Sequence, residues 1–161
     1  MSLTLPQIEK ALSDTMVDYE IWPCDEALAD TVNFCAHYNV SVEHSVNAIL
    51  VQDKYNQDNH ALCLVTAGDR LDVNGTVRKK LGAKKASFAS ADFTKGLTGM
   101  EIGGVTPVGL PYNIPIWIDA KIRDLTYIIL GGGNRTSKLK IDPAYFDVIS
   151  EAEFIENLAR S

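Results

Sequence analysis

The segment from Gly99 to Gly109, Gly-Met-Glu-Ile-Gly-Gly-Val-Thr-Pro-Val-Gly, restricts the possible folds of this chain more than any other. Four glycines in eleven residues argue against a helix interior or an ordinary strand. Glycine belongs where φ turns positive or where a ligand approaches the backbone. Pro107 removes a donor, fixes its own φ and biases Thr106 towards an extended conformation. A stiff loop that displays its own N–H groups is therefore expected. A second cluster, Gly131-Gly132-Gly133, follows the apolar run Tyr127-Ile128-Ile129-Leu130. The two glycine segments are expected to face each other across one pocket.

With 161 residues, 46% of them hydrophobic, the chain suits a single domain over residues 1–161 with a real core. No apolar run approaches the roughly 20 residues that cross a bilayer, and the first ten residues lack the basic start and apolar core of a signal peptide. A cytoplasmic location without a membrane partner is expected. Cys24, Cys35 and Cys63 are odd in number and widely spaced, which argues against a disulfide framework or a zinc site. Cys35 and Cys63 are expected to be buried as small hydrophobes. His37, His44 and His60 show no metal-ligand spacing. The net charge of −6 opposes general nucleic-acid binding. Arg78, Lys79, Lys80, Lys84 and Lys85 nevertheless place five cations in eight residues, and Arg135, Lys138 and Lys140 follow the triple glycine. Both groups read first as solvated faces, and their position beside the glycine segments also suits a local phosphate contact.

Periodicity predicts a helix over residues 4–14, a strand over Tyr19–Trp22 stopped by Pro23, and a helix to Tyr38 with Asp25 as N-cap. Leu28, Val32 and Cys35 carry its apolar face, and Asn39 takes the αL position at its end. Strands are expected over Val46–Val51 and Ala61–Ala67, joined by the polar stretch 53–59. Asp72 should cap a helix that stops at Gly82, and Ser90 one that ends near Gly96 or Gly99. Ala86–Phe88 between them should be a short strand. Ile114–Ile122 and Thr126–Leu130 read as adjacent strands with Asp124 in the turn, and Leu139–Ile141 as another. Asp142-Pro143 reads as an N-cap followed by proline at N1. Ser150-Glu151-Ala152-Glu153 reads as a capping box opening a final helix with Phe154, Ile155 and Leu158 apolar. Interspersed helices and strands without strict βαβ alternation favour an α+β domain with a mixed sheet and packed helices.

Leu81-Gly82-Ala83-Lys84-Lys85, Ser87-Phe88-Ala89, Thr98-Gly99, Gly103 to Gly109, Ile118-Asp119-Ala120 and Gly131-Gly132-Gly133 form an ordered series. Over roughly residues 20–158 this series resembles the YbaK/EbsC family of aminoacyl-tRNA deacylases. That family includes the editing domain inserted in bacterial prolyl-tRNA synthetases and its freestanding relatives. The resemblance implies a central mixed β-sheet flanked by helices. It also implies hydrolysis of the ester joining a wrong amino acid, such as alanine or cysteine, to a tRNA 3′ end. Here tRNA(Pro) is the first candidate. Ester hydrolysis builds negative charge on the carbonyl oxygen, which fixed backbone N–H donors stabilise. Those donors are expected at Gly103, Gly104 and Val105, with Gly132 and Gly133 as the facing wall. Thr106 and Asp119 are candidate substrate contacts, and Lys80, Lys84 and Arg135 candidate tRNA contacts. The implied partners are the aminoacyl-tRNA acceptor end and an aminoacyl-tRNA synthetase, and no metal or organic cofactor is implied.

The sequence departs from the family at Asn47, in Ser45-Val46-Asn47-Ala48-Ile49, where members typically carry a lysine. Asparagine hydrogen-bonds a carbonyl or a ribose without charge. Three readings follow: Asn47 serves the catalytic site with altered specificity, a nearby cation (Lys54 or Lys80) replaces the lysine, or the domain binds aminoacyl-tRNA or a synthetase without hydrolysis. No Ser-His-Asp or Cys-His arrangement stands at a recognisable motif, so a positioned water is the expected nucleophile. His44, three residues before Asn47, points to the opposite face of a strand and is not expected to act as a base.

Overall fold

The computed structural model describes residues 4–29, 31–110 and 114–160, and at 31–33 the backbone alone. At the centre, β2 (Val46–Asp53) and β3 (Asn56–Thr66) form a long antiparallel hairpin in register from Val46↔Thr66 to Gln52↔His60. Its turn is only Lys54 and Tyr55, with the Tyr55 N–H donating to Asp53 Oδ1 at 2.9 Å. Alternation divides the hairpin cleanly. Val46, Leu50, Leu62 and Leu64 face one core, and Val51, Ala61, Cys63 and Val65 face another. The short strand β5 (Ala86–Phe88) is antiparallel to β2 over Val51–Asp53. On the far side β3 pairs in parallel with β6 (Ile116–Asp119), and β6 with β9 (Ala152–Ile155). The result is a five-stranded mixed sheet of order β5-β2-β3-β6-β9.

A second, antiparallel sheet has the order β1-β8-β7, from β1 (Tyr19–Pro23), β7 (Ile128–Gly131) and β8 (Ser137–Ile141). It stacks on the first, and Ile128, Leu130, Leu139 and Ile141 enter the core of Val46, Leu50, Leu62 and Leu64. Ile8 and Leu12, spaced four apart on α1 (Pro6–Ser13), seal that core. Burying a side chain of this size stabilises by about 1.5–3 kcal/mol. The opposite face of the large sheet is covered by Val77, by Leu81 of α3 (Arg78–Leu81), and by Leu158. Cys24, Ala29, Phe34 and Cys35 pack on Ile129 beside α2 (Thr31–Tyr38). This is the expected α+β architecture, a mixed sheet flanked by helices.

Several expectations hold at the level of single caps. Asn39 has φ 56°, Gly82 φ 69° and Gly99 φ 74°, each in the left-handed position that ends a helix. Ser90 Oγ accepts from the Phe93 N–H at the start of α4 (Ala91–Thr98), and Asp142 Oδ1 from the Ala144 N–H before a 3₁₀ turn over Pro143–Asp147. Asp25 caps a 3₁₀ turn, Glu26–Leu28, that precedes α2 rather than α2 itself. The side chain of Val32 lies outside the described residues. Asp72 opens a π-helical turn, Val73–Val77, ahead of α3. Gly75 belongs there because a Cβ at that position would run into the Asp72 carboxylate.

Three expectations are corrected. Ile114–Ile122 and Thr126–Leu130 are not neighbours, because β6 lies in the five-stranded sheet and β7 in the three-stranded one. A 3₁₀ turn over Ala120–Asp124 carries the chain between the layers, and all four β6 residues are buried. The polar stretch 53–59 is mostly strand, since pairing continues almost to the turn. The capping-box helix after Ser150 does not form: the segment supplies β9 and then β10 (Ala159–Arg160), which pairs with β4 (Arg70–Leu71). The exposed edge of β6 is satisfied this way, and Phe154 gains Phe146 at 6.1 Å and the Arg123 guanidinium at 4.1 Å.

Candidate functional site

On the outer edge of β2, strand β5 stops at Val51, and among the described residues no strand pairs with Val46 or Ala48 on that side. The gap is bounded at both ends. The Leu50 carbonyl accepts from the Ala89 N–H at 2.9 Å, and the His44 carbonyl from the Ile129 N–H at 2.8 Å. Backbone direction alternates along a strand, so the N–H and C=O of Ala48 turn to the same edge as those of Leu50. A cavity of about 240 Å³ opens there. Val46, Asn47, Ala48 and Ile49 line one side, and Gly103 and Val105, Gly131 of β7, Lys138 of β8 and Ala29 line the rest.

The two glycine segments touch rather than face each other across the opening. The Gly133 N–H donates to the Gly104 carbonyl, and the Glu101 N–H to the Gly133 carbonyl at 3.2 Å. A Cβ on Gly104 would land on the Asn134 backbone, and one on Gly131 would come within 2.6 Å of the Gly104 oxygen. The glycines thus allow two backbones to meet, and only Gly103 and Gly131 border the cavity. Gly132 lies against Ser137, and Gly133 against Ile8 and Leu5 at the start of α1.

Of the residues singled out by sequence, Asn47, Gly103 and Val105 come together on the cavity wall. Gly104 stands behind them. Thr106 is fully buried, and its Oγ1 has no hydrogen-bond partner among the described residues. Asp119 ends β6 outside the cavity lining, near Lys121, Asp69 and Glu156. Burial, chiefly, pushes its carboxyl above the usual range, with Lys121 opposing. Lys80 donates to Glu153 at 2.9 Å and lies 5.2 Å from the Trp117 ring centre, while Lys84 is exposed. Arg135 donates to the Ile102 and Glu26 carbonyls, both at 3.2 Å, and so ties down the glycine loop next to Gly103. His44 stacks on Tyr127 at 4.1 Å with Nδ1 2.9 Å from the Tyr127 carbonyl, at the junction of the sheets.

Lys138 also lines the cavity, a position that its sequence neighbours do not reveal. Its Nζ donates to the Ala29 carbonyl at 2.8 Å and lies 5.3 Å from the centre of the Phe34 ring. On β8 it pairs with Gly131, which has no side chain to cover it. The available signal was the alternation Lys138-Leu139-Lys140-Ile141, which places both lysines on the face away from the core, beside a triple glycine. Lys54 and Lys80, the cations suggested by sequence, are not among the lining residues. Burial holds the nearby Cys24 thiol above its ordinary range, with Lys138 opposing, and burial alone pushes Cys63 up to about 12. Cys35 and Cys63 are buried as expected. Among the described residues no three His, Cys, Asp or Glu side chains gather as a metal-binding set.

Two stacked sheets with a small cavity at the outer edge of β2 define an α+β domain. The chain belongs to the aminoacyl-tRNA editing domain family, whose model matches residues 25–148, and within it to the YbaK/EbsC type. The chemistry of that family is deacylation of aminoacyl-tRNA in the service of translation fidelity. The chain is 24% identical over 132 residues to a proline–tRNA ligase of Brachyspira hyodysenteriae, covering 81% of this chain and 22% of the ligase. It is 29% identical over 87 residues to the uncharacterized protein YwhH of Bacillus subtilis, 54% of this chain and 55% of that one. The chain thus spans about a fifth of the first relative and about half of the second. A crystal structure of a hypothetical protein superposes with a TM-score of 0.83 at 21% identity, over 96% of this chain and 99% of the other. A protein provisionally described as a trans-editing enzyme for prolyl tRNA synthetase gives 0.79 at 18%, over 96% and 95%. These structures show the shared fold. No helix among the described residues is long and apolar enough to cross a membrane.

Proposed function

We propose that residues 1–161 act as one trans-editing domain that hydrolyses the ester of a misacylated tRNA carrying a small amino acid, alanine or cysteine, on tRNA(Pro). The observation that carries this reading is the cavity at the outer edge of β2, which combines Asn47, edge-facing strand backbone and Gly103 in about 240 Å³. That is below the roughly 300–1,000 Å³ of pockets for drug-sized ligands, and suits an aminoacyl group better than a long peptide or a dinucleotide. In the reaction, water adds to the ester carbonyl carbon, the bond from that carbon to the ribose oxygen breaks, and the ribose oxygen takes a proton. The amino acid leaves as its carboxylate. The backbone donors of the glycine loop hold the developing oxyanion, and the Asn47 amide orients the ester or the terminal ribose. Discrimination among small side chains is worth only about 1–3 kcal/mol per methylene, so Ala48, Ile49 and Val105 set the preference through wall shape. The acceptor end is the partner, delivered in the cytoplasm with or without a synthetase.

A second reading, a non-catalytic module that binds aminoacyl-tRNA or a synthetase, is favoured by the uncharged Asn47. Single-turnover deacylation of Ala-tRNA(Pro), Cys-tRNA(Pro) and a panel of other mischarged tRNAs separates the two. Editing predicts cleavage of at least one member, and a fall of about a hundred-fold in Asn47→Ala, the size of losing one transition-state donor. Salt-sensitive binding of the panel without turnover by the parent protein would instead establish the binding module.

A further inference from the structure

Phe88 is 63% exposed and makes no ring contact among the described residues, although it belongs to β5. Its partner across the strands is Val51, and directly opposite residues of an antiparallel pair point to one face. By alternation, Asn47 and Ile49 of the cavity wall point to that face as well. Two strand residues, roughly 7 Å, separate Ile49 from Val51, which is about two steps of a stacked nucleic-acid strand.

A lone exposed aromatic is ordinary on a protein surface. This one borders a groove of about 700 Å³ between β5 and the π-helical turn Val73–Val77. Ser87, Asn74 and Gly75 line the groove with Phe88, as do Arg70 and Arg160, paired across β4 and β10. Its carboxylate, Asp72, accepts from Thr76 and lies 3.3 Å from Arg160. Arg70 is exposed and makes no hydrogen bond or ion pair from its side chain among the described residues. Exposed Lys84 and Lys85 lead into β5, and the Lys85 carbonyl accepts from the N–H of exposed Lys54 at 2.9 Å. None of these three ammonium groups has an ion pair among the described residues.

We propose that this groove holds an unpaired nucleotide of the tRNA 3′ end, its base stacked on Phe88 and a neighbouring phosphate held by Arg70, while the aminoacyl group occupies the cavity. This rests on the aminoacyl-tRNA reading above, in its editing or its binding form. An aromatic face accepts any base and adjacent cations hold the backbone, the combination that binds single strands without sequence readout. A peptide would use the ring but would leave the surplus positive charge unanswered. Ser87 and Asn74 offer a hydroxyl and an amide to the edge of the base. The groove has the volume of a small-ligand site, roughly 300–1,000 Å³, and so has room for a nucleotide.

The test compares filter binding of two acceptor-stem RNA minihelices, one with its unpaired 3′ nucleotides and one ending flush. Phe88→Ala is expected to weaken binding of the overhanging minihelix about ten-fold, the order of one stacked base. Binding of the flush minihelix and the melting temperature should stay unchanged. Phe88→Tyr keeps the ring and is expected to bind as the parent does. Arg70→Gln should lower the log–log salt slope by roughly one for the overhanging minihelix only. Parental affinity of Phe88→Ala for both RNAs overturns the proposal, and so does an equal loss on both, since the ring then serves the duplex or the fold. If Phe88→Ala melts early, Phe88→Leu decides, because it keeps the apolar bulk without the ring: parental affinity for the overhanging minihelix overturns the proposal. A parent that binds neither RNA removes the aminoacyl-tRNA reading together with this one. A parent that cleaves a mischarged tRNA, with Phe88→Ala binding as tightly, removes this one alone.

Discussion

Asp119 illustrates how a sequence-derived candidate changes meaning once its surroundings are known. Its position at the end of a buried strand suits either a substrate contact or a satisfied structural group. The structure places it beside Asp69, Lys121 and Glu156 and outside the cavity lining. Lys121 is paired with Asp69, and burial raises the Asp119 carboxyl pKa above its ordinary value. A pKa raised on folding means that the native state favours the protonated form, so ionisation at neutral pH opposes folding. That penalty is absent below the unfolded pKa and grows as pH rises through the folded one. Asp119→Asn is therefore expected to raise the melting temperature at neutral pH, with the gain vanishing as the pH falls into the carboxylate range. Its deacylation rate should stay at the parental level, and a rate loss without a stability change would return Asp119 to the substrate. At this scale the positions of Gly103 and Val105 were legible because they sit in a family-like series, and that of Asn47 because it stands where the family carries a lysine. Lys138 was not, because a lysine in a basic run reads as solvated unless the partner strand and the helix above it are known.

Elements were legible where a cap or a left-handed residue marks a boundary, and illegible where tertiary pairing overrides local pattern. Ser90, Asp142, Asn39, Gly82 and Gly99 each announce a boundary through a donor they satisfy or a φ they adopt. The segment after Ser150 has capping-box residues too, but the unpaired edge of β6 offers a backbone ladder that a short helix does not. Asp72 shows how a cap can also join elements. Its Oδ2 accepts from both the N–H and the hydroxyl of Thr76 at 3.0 Å, and Oδ1 lies 3.3 Å from the Arg160 guanidinium on β10. The Thr76 N–H bond, first, holds this carboxyl below its ordinary pKa, with the Thr76 hydroxyl and Arg160 adding to it. Stability from a depressed carboxylate is present above the unfolded pKa and is lost as pH falls through the folded one. Asp72→Ala is expected to cost about 1 kcal/mol at neutral pH, the usual value of a helix N-cap. Asp72→Asn should recover part of that loss. Urea titrations at neutral and acidic pH check both, and the difference between parent and alanine variant should shrink on the acid side.

For the whole molecule, a net charge of −6 has to be reconciled with the polyanionic partner proposed above. The answer lies in distribution, because five cations fall within residues 78–85 and Lys138 is buried in the cavity wall. Their surroundings divide the labour. Lys84 is exposed and suited to a screened contact with the acceptor stem, whereas Lys80 is already engaged by Glu153 and Trp117. Arg135 is bound to two backbone carbonyls at the cavity rim. A phosphate contact releases counterions, so its removal weakens binding and flattens the salt dependence by roughly one unit in the log–log slope. Lys84→Ala should do this while leaving the saturated deacylation rate unchanged. Lys80→Ala should flatten the slope less, because Glu153 already neutralises that charge. Arg135→Ala should act differently, freeing the Ile102 segment next to Gly103 and lowering the rate constant more than the affinity. Filter binding across a salt series, run beside single-turnover rates at saturating protein, distinguishes the three. An equal loss of slope in all three variants would mean that the basic residues act as one diffuse field, and the division argued here would fail.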